Sequence, residues 1–180
     1  MDPFDTNTTL LTERLVLKPI VDSDIGFVFQ GLSHPDVIRY YGISYHSFDA
    51  TRDQMVWYKD LRENQTGIWF AIRSRDDQSP MGSIGISSYN KTFRKAEIGL
   101  WLLPDFWKRG IMQEAVAVFC QYCFDQLHLH RLEAQVETEN TACKRLMEKL
   151  EFDYEGTMKD CEIKDGKFIS LDLYAKLNRL

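Results

Sequence analysis

Leu100-Trp101-Leu102-Leu103-Pro104-Asp105-Phe106-Trp107-Lys108-Arg109-Gly110-Ile111-Met112-Gln113-Glu114-Ala115 is the stretch that decides how this chain is read. It passes from strand to loop to helix. The segment entering it, from Ala96 to Leu103, is apolar and strand-like, and Pro104 ends it because proline has no N–H for a ladder. A helical pattern starts just after Gly110 and covers Met112 to Leu127. The loop between carries two cations, a glycine and no acid after Asp105. A loop that feeds a helix start collects unpaired backbone N–H groups and the positive end of the helix dipole. That is a phosphate site in its simplest form. Lys108 and Arg109 add full charges, and Gly110 lets the backbone approach a ligand. On spacing alone a solvated basic turn looks the same.

Composition narrows the field. With 180 residues, 44% of them apolar, the chain can bury one sizeable core. A net charge of -5 and the lack of any basic run argue against nucleic acid. No apolar run approaches the ~20 residues that span a bilayer, so no membrane is expected. Met1-Asp2-Pro3-Phe4-Asp5 lacks the basic and apolar regions of a signal peptide. The expectation is a cytoplasmic protein, monomer or homodimer, with four reduced cysteines.

Outward from the central stretch, residues 1–11 read as a flexible leader and 12–180 as one domain. Leu15 to Leu17 form a short strand ended by Pro19. Asp22 or Ser23 caps a helix over 24–31, and Ser33-His34-Pro35 breaks it. Asp49 caps a second helix over 50–63, whose Met55, Trp57, Tyr58 and Leu61 rest on a sheet. Strands over 68–72, 81–89 and 95–103 form an antiparallel meander. After the central helix come a strand over 132–136 and a helix over 140–150, with Ala142, Leu146, Met147 and Leu150 facing in. Strands over 152–158 and 168–174 close the chain as a hairpin around Asp165-Gly166. This is an α+β domain with a mixed sheet.

Two motifs carry a resemblance. Ala96-Glu97-Ile98-Gly99-Leu100-Trp101 followed by Trp107 to Ala115 resembles the cofactor-binding motif of the GCN5-related N-acetyltransferases, most closely the subgroup that acetylates ribosomal-protein N-termini. Trp107 and Met112 stand where that motif usually has Gln or Arg, and Gly or Ala. Asn140-Thr141-Ala142-Cys143, running on to Glu148-Lys149-Leu150-Glu151-Phe152, is similar to the family's second motif, with Cys143 in place of Ser and Glu151 in place of Gly. The resemblance covers roughly residues 12 to 177. It implies a single domain on a mostly antiparallel twisted sheet with a splayed central strand pair, flanked by helices. It implies acetyl-CoA as co-substrate: the loop of Trp107, Lys108, Arg109, Gly110, Ile111, Met112 and Gln113 cradles the pyrophosphate. Trp101, Leu102 and Leu103 then pair with the pantetheine arm. Gly99 could mark a bulge that starts the splay. Asn140 either holds the same arm or simply caps its helix.

Attack of an amine on a thioester needs a neutral amine, a donor for the oxyanion and a proton for the departing thiolate. Glu97 is placed to take the amine's proton, or else to pair with Arg94 or Lys95. Cys143 can give the thiolate its proton, or be a small packed thiol. Tyr154 is a second donor candidate, or a core tyrosine. Cys120-x-x-Cys123 with His128 and His130 has ligand-like spacing, yet both cysteines sit inside an apolar helix, so no metal is expected. The expected acceptor is a primary amine, preferably a protein N-terminus, whose α-amine pKa of ~7.7 needs a weaker base than lysine's ~10.4. The alternatives are a small-molecule amine such as a polyamine, amino sugar or antibiotic, or a CoA-binding domain without turnover.

Overall fold

In the computed structural model, residues 4–179 are described. Eight strands form one sheet in the order β1-β2-β3-β4-β5-β6-β8-β7. They are β1 (Leu10–Leu11), β2 (Leu15–Pro19), β3 (Ile68–Ser74), β4 (Pro80–Asn90), β5 (Lys95–Leu102), β6 (Arg131–Glu137), β7 (Asp153–Lys164) and β8 (Lys167–Leu177). Five helices accompany them: α1 (Ile25–Leu32), α2 (Pro35–Ile38), α3 (Thr51–Glu63), α4 (Ile111–Asp125) and α5 (Thr141–Lys149). Every neighbouring pair is antiparallel except β5–β6.

Period-2 alternation sends successive side chains of β5 to opposite faces. Ala96, Ile98 and Leu102 join a core with α4 residues Ala115, Val116 and Phe119. Trp101 joins a second core with Phe27, Val28, Met55 and Tyr58 of α1 and α3. The sheet is thus covered on both faces, by α4 and by the α1–α3 layer. Glu97 and Gly99, in step with Trp101, belong to the α1–α3 side.

The one parallel pair does not stay together. β5 and β6 match only at Lys95↔Arg131, Ala96↔Leu132 and Glu97↔Glu133. Beyond Glu97, β5 keeps β4 on one side as far as Leu102, and β6 keeps β8 as far as Glu137. The two strands therefore part as a V, closed at Glu97 and open toward the starts of α4 and α5. This is the expected splay, but Gly99 does not cause it. β4 and β5 stay in register through Gly85↔Gly99, and the irregularity falls between Ser87 and Asn90. Gly99 is small for another reason: a Cβ there would lie 2.6 Å from the Trp69 indole, and one on Gly85 would lie 2.3 Å from it. The two glycines form a trough that seats Trp69.

Several other expectations shift. Of the leader, residues 1–3 lie outside the described residues. The packed domain starts before residue 12: Phe4 is 2% exposed and packs edge-on against Tyr89, and Leu10–Leu11 pair with β2. The first helix start is a 3₁₀ turn, where Asp24 accepts from the Val21 N–H at 3.0 Å rather than Asp22 or Ser23 capping. Ser47, not Asp49, accepts from the Ala50 N–H at 3.1 Å, and Asp49 pairs with Arg52 instead. Pro35 breaks α1 but also opens α2, capped by His34. Ala142 is exposed rather than facing in. The closing hairpin turns at Asp165 and Gly166, both with positive φ (50° and 74°), as a two-residue turn of this type requires.

Candidate active site

The V between β5 and β6 is part of a groove of about 870 Å³. Its far end is the start of α4. Gly110 stands at the helix N-cap with φ 73°, and no side chain caps it. The first N–H groups of a helix have no partner within it, so the turn from Ile111 to Gln113 presents its donors and the dipole's positive end to the groove. What glycine supplies here is backbone conformation more than room. An added Cβ would meet only the Arg14 guanidinium, at 3.5 Å, but φ 73° is strained for any side chain. Lys108 also has positive φ, 60°. The Trp107 indole N–H donates to the Leu102 carbonyl at 2.8 Å, tying the loop back to β5. Arg14, on the approach to β2, pairs with Glu114 of α4 at 2.6 Å and donates to the Arg109 carbonyl at 3.0 Å. That brace fixes the loop and adds a cation beside Gly110. Nothing in the local sequence pattern announced it, because its partners are 100 residues apart.

The near end is the closed point of the V. Glu97 lies there, partly buried, with the Gln135 amide donating to it at 3.3 Å. Burial first, and then the charges of Glu133 and Glu162, push its carboxyl above the usual carboxylate range. Lys95 does not neutralise Glu97, as the surface-pair reading required. It pairs with Glu133 at 3.1 Å, and Arg131 pairs with the same carboxylate at 2.7 Å. A partly buried carboxylate with a raised pKa and no ion pair among the described residues is a stronger base than an ordinary carboxylate.

Between the ends, α5 supplies the third side. Asn140 Oδ1 accepts from the Cys143 N–H at 3.1 Å, so Asn140 caps α5. Its amide also lines the groove, which leaves its N–H₂ donors for a ligand. Cys143 lines the groove one turn on, and burial pushes its thiol up to about 11.

The structure brings together Glu97, Trp101, Leu102, Trp107, Lys108, Gly110, Ile111, Met112, Gln113, Asn140 and Cys143 around one groove. Three expected residues are not among the lining. Leu103 is turned into the α1–α3 core, and its N–H donates to the Met81 carbonyl at 2.8 Å. Arg109 is exposed, with its guanidinium over the Phe106 ring at 5.9 Å. Tyr154 lines a separate, open pocket and shares a 2.8 Å hydrogen bond with Thr157, which binds the Asp172 carboxylate. Its place on the outer strand β7 corrects the expectation of a donor at the thioester. Tyr40 and Tyr41 of the loop after α2 and Trp57 of α3, the aromatic loop and second helix from which the sequence draws the acceptor wall, line the groove. Glu137 of β6 and Glu162 of β7 join them although nothing in the sequence marked those two.

Cys120 and Cys123 are buried in α4, and desolvation pushes both thiols up, Cys120 to about 12. Buried thiols with raised pKa are packing groups.

These observations agree with three comparisons. The family model described as an acetyltransferase (GNAT) domain matches residues 14–153. The chain is 31% identical over 167 residues to the uncharacterized N-acetyltransferase YoaA of Bacillus subtilis, covering 92% of this chain and 94% of that one. Two solved structures share its fold. One is the acetyl transferase from Salmonella typhimurium that modifies the N-terminal serine of ribosomal protein L7/L12 (TM-score 0.87, 18% identity, 96% and 100% of the two chains covered). The other is the spermidine N-acetyltransferase from Vibrio cholerae in complex with CoA and spermine (TM-score 0.82, 20% identity, 92% and 96% covered). With the splayed strand pair, the uncapped α4 start and the match over most of its length, the chain belongs to the GNAT acetyltransferase family and is an acetyl-transfer enzyme.

Proposed function

We propose that the chain moves the acetyl group of acetyl-CoA onto a primary amine by direct attack, in the groove between β5 and β6. The observation that carries this is the groove itself. A helix start that no side chain caps lies at one end, the Glu97 carboxylate at the other, and the β5 edge from Ile98 to Leu102 runs free of β6 between them. Glu97 and Leu102 are separated by about 17 Å at ~3.4 Å per residue, so the groove suits an extended arm anchored by its phosphates. Free backbone N–H and C=O groups along that edge require partners, and an amide-bearing arm offers them.

The amine nitrogen attacks the thioester carbonyl carbon, a C–N bond forms and the C–S bond breaks. The proton lost by the amine goes to Glu97, directly or through one water. The departing sulfur receives a hydrogen bond from the Cys143 thiol. A thiol at about 11 is a weaker acid than an ordinary thiol of ~8.5, so full proton transfer from Cys143 is uphill. Its share is correspondingly small, and most of the rate comes from holding a neutral amine against the thioester.

The preferred acceptor is a protein N-terminal amine, which a carboxylate base can serve because its pKa is close to neutrality. The fold shared with the enzyme acting on L7/L12 supports it. A small polyamine is the second reading, favoured by the carboxylates at the amine end. Acetyl-CoA and reduced thiols both belong to the cytoplasm, the compartment proposed here. Purified protein incubated with acetyl-CoA and a panel of peptides and amines, with free thiol as the readout, tests the reading. Thiol release that depends on the amine is expected; none with any amine, despite CoA binding, would leave a non-catalytic CoA-binding domain.

A further inference from the structure

We infer that Lys144 and Asp172 are positioning residues: their ion pair pins α5 to β8 and so holds Cys143 and Asn140 at the groove wall. The catalytic side of this rests on the acetyl-transfer reading.

The two helices that line the groove are held in different ways. α4 buries eight residues, Ala115 and Phe119 among them, so packing fixes its place. α5 buries only Met147. Cys143 and Leu146 reach the core in part. A helix with so little buried apolar surface opens locally at small cost, yet it follows Asn140 and carries Cys143, both of which line the groove. Polar bonds to β8 supply what packing does not. The Lys144 ammonium meets the Asp172 carboxylate at 2.6 Å and donates to the Thr138 carbonyl at 3.2 Å. At the far end of the helix the Lys176 ammonium donates to the Leu150 carbonyl at 2.6 Å. β8 is the fixed partner: Asp172 pairs with Val136 of β6 on one side and with Thr157 of β7 on the other.

Asp172 is built as an anchor. It is 3% exposed, and its second oxygen accepts from the Thr157 hydroxyl at 2.5 Å. A threonine hydroxyl has one proton, so Tyr154 is the donor in the 2.8 Å bond that it shares with Thr157. Tyr154 thus orients the anchor from β7. Burial alone would raise the Asp172 carboxyl, but the bonds from Lys144 and Thr157 outweigh it and hold the carboxyl below its ordinary value. Lys144 lines the open pocket shared with Tyr154 rather than the groove. Any part that it takes in the reaction therefore goes through the helix.

The test is Asp172→Asn, which keeps the shape and the bond from Thr157 but removes the charge. Lys144 is partly exposed and can then turn to water, a milder outcome than a buried charge left unpaired. Hydrogen exchange of the free protein needs no turnover. In the variant the amides of α5 should exchange about 10-fold faster, while those of α4 and β8 keep their wild-type rates. Asp172→Asn should lower kcat about 5-fold when Cys143 is present and less than about 2-fold when it is already alanine, because nothing is then left to position. Lys144→Arg keeps the charge and should retain both the wild-type exchange and the wild-type kcat. Lys144→Gln, whose amide can still donate to Asp172, carries the same expectations as Asp172→Asn should that variant not fold. Unchanged exchange in α5, or an equal fall in kcat with and without Cys143, overturns the inference. Faster α5 exchange in a protein that turns over no amine would uphold the pin and sink the acetyl-transfer reading instead.

Discussion

The two ends of the groove solve opposite problems with opposite parts. The donor end is backbone: a helix start that no side chain caps, set by Gly110 at φ 73° and ringed by Lys108 and Arg14. The amine end is side chain: carboxylates on strands, one of them held above its usual pKa by burial and by its acidic neighbours. The nearby start of α5 sharpens the contrast. It too follows a strand, but Asn140 closes it by accepting from the Cys143 N–H. On the proposed reading a helix start takes an anion here only where the sequence withholds its cap. The binding end should then tolerate changes in side chains but not in backbone conformation. The chemical end should behave in the reverse way.

The sharpest way to break this contrast is Glu97→Gln. A positioned base contributes ~10²–10⁴-fold, so kcat should fall by about that much while CoA affinity stays close to normal. The wild-type rate should rise as pH climbs through the raised carboxyl pKa, because the base acts only when ionised, and this limb should vanish in the variant. Stability gives a second reading. A raised folded pKa means stability that is present below the unfolded value and lost as pH rises through the folded one. Glu97→Gln should therefore melt slightly higher than wild type at neutral pH, as expected where function, not stability, sets the residue. A kcat within a few-fold of wild type would remove the base from the amine end.

At the donor end, Gly110→Val should weaken CoA binding by about 100-fold, ~2.7 kcal/mol, with the melting temperature shifted far less. Wild-type binding should weaken with salt, since phosphate contacts at an exposed helix start are screened. Tight, salt-independent binding in the valine variant would mean that the loop is not the anchor. Cys143→Ala sits between the ends and should lower kcat by about 10-fold, because a hydrogen bond in the transition state is worth ~1–1.5 kcal/mol. Cys143→Ser should keep most of the activity. A drop as large as that of Glu97→Gln would show real proton transfer from the thiol. The smallest effect belongs to Asn140→Ala. Loss of an N-cap costs about 0.5–2 kcal/mol, read as a few degrees of melting temperature at ~2–4 °C per kcal/mol. Loss of CoA binding without that shift would instead assign Asn140 to the ligand.

The strand, loop and helix start of the proposed donor end were legible in the sequence because their determinants are contiguous: strand, proline, two cations, glycine and helix lie within sixteen residues, from Leu100 to Ala115. The element order and the hairpin turn were legible for the same reason. What escaped depended on partners far away in the chain. The Arg14–Glu114 brace joins residues 100 apart. Gly99 is small because of Trp69 on β3, which no local pattern reveals. At the amine end Glu97 was legible, but the contribution of β7 escaped because that strand is exposed along almost all of its length. A strand with no buried face shows no alternation, so its continuation to Lys164 could not be read. Glu162 was lost with it, and Tyr154, read as a donor or a core tyrosine, is 56% exposed.

A crystal structure of the protein with CoA tests the central claim most directly. The account predicts the pyrophosphate at the start of α4, its oxygens about 2.7–3.2 Å from backbone N–H groups between Ile111 and Gln113, and the arm paired along β5 from Ile98 toward Leu102 with its thiol near Glu97 and Cys143. CoA bound elsewhere, or its phosphates held only by side chains while the α4 start stays free, would contradict it.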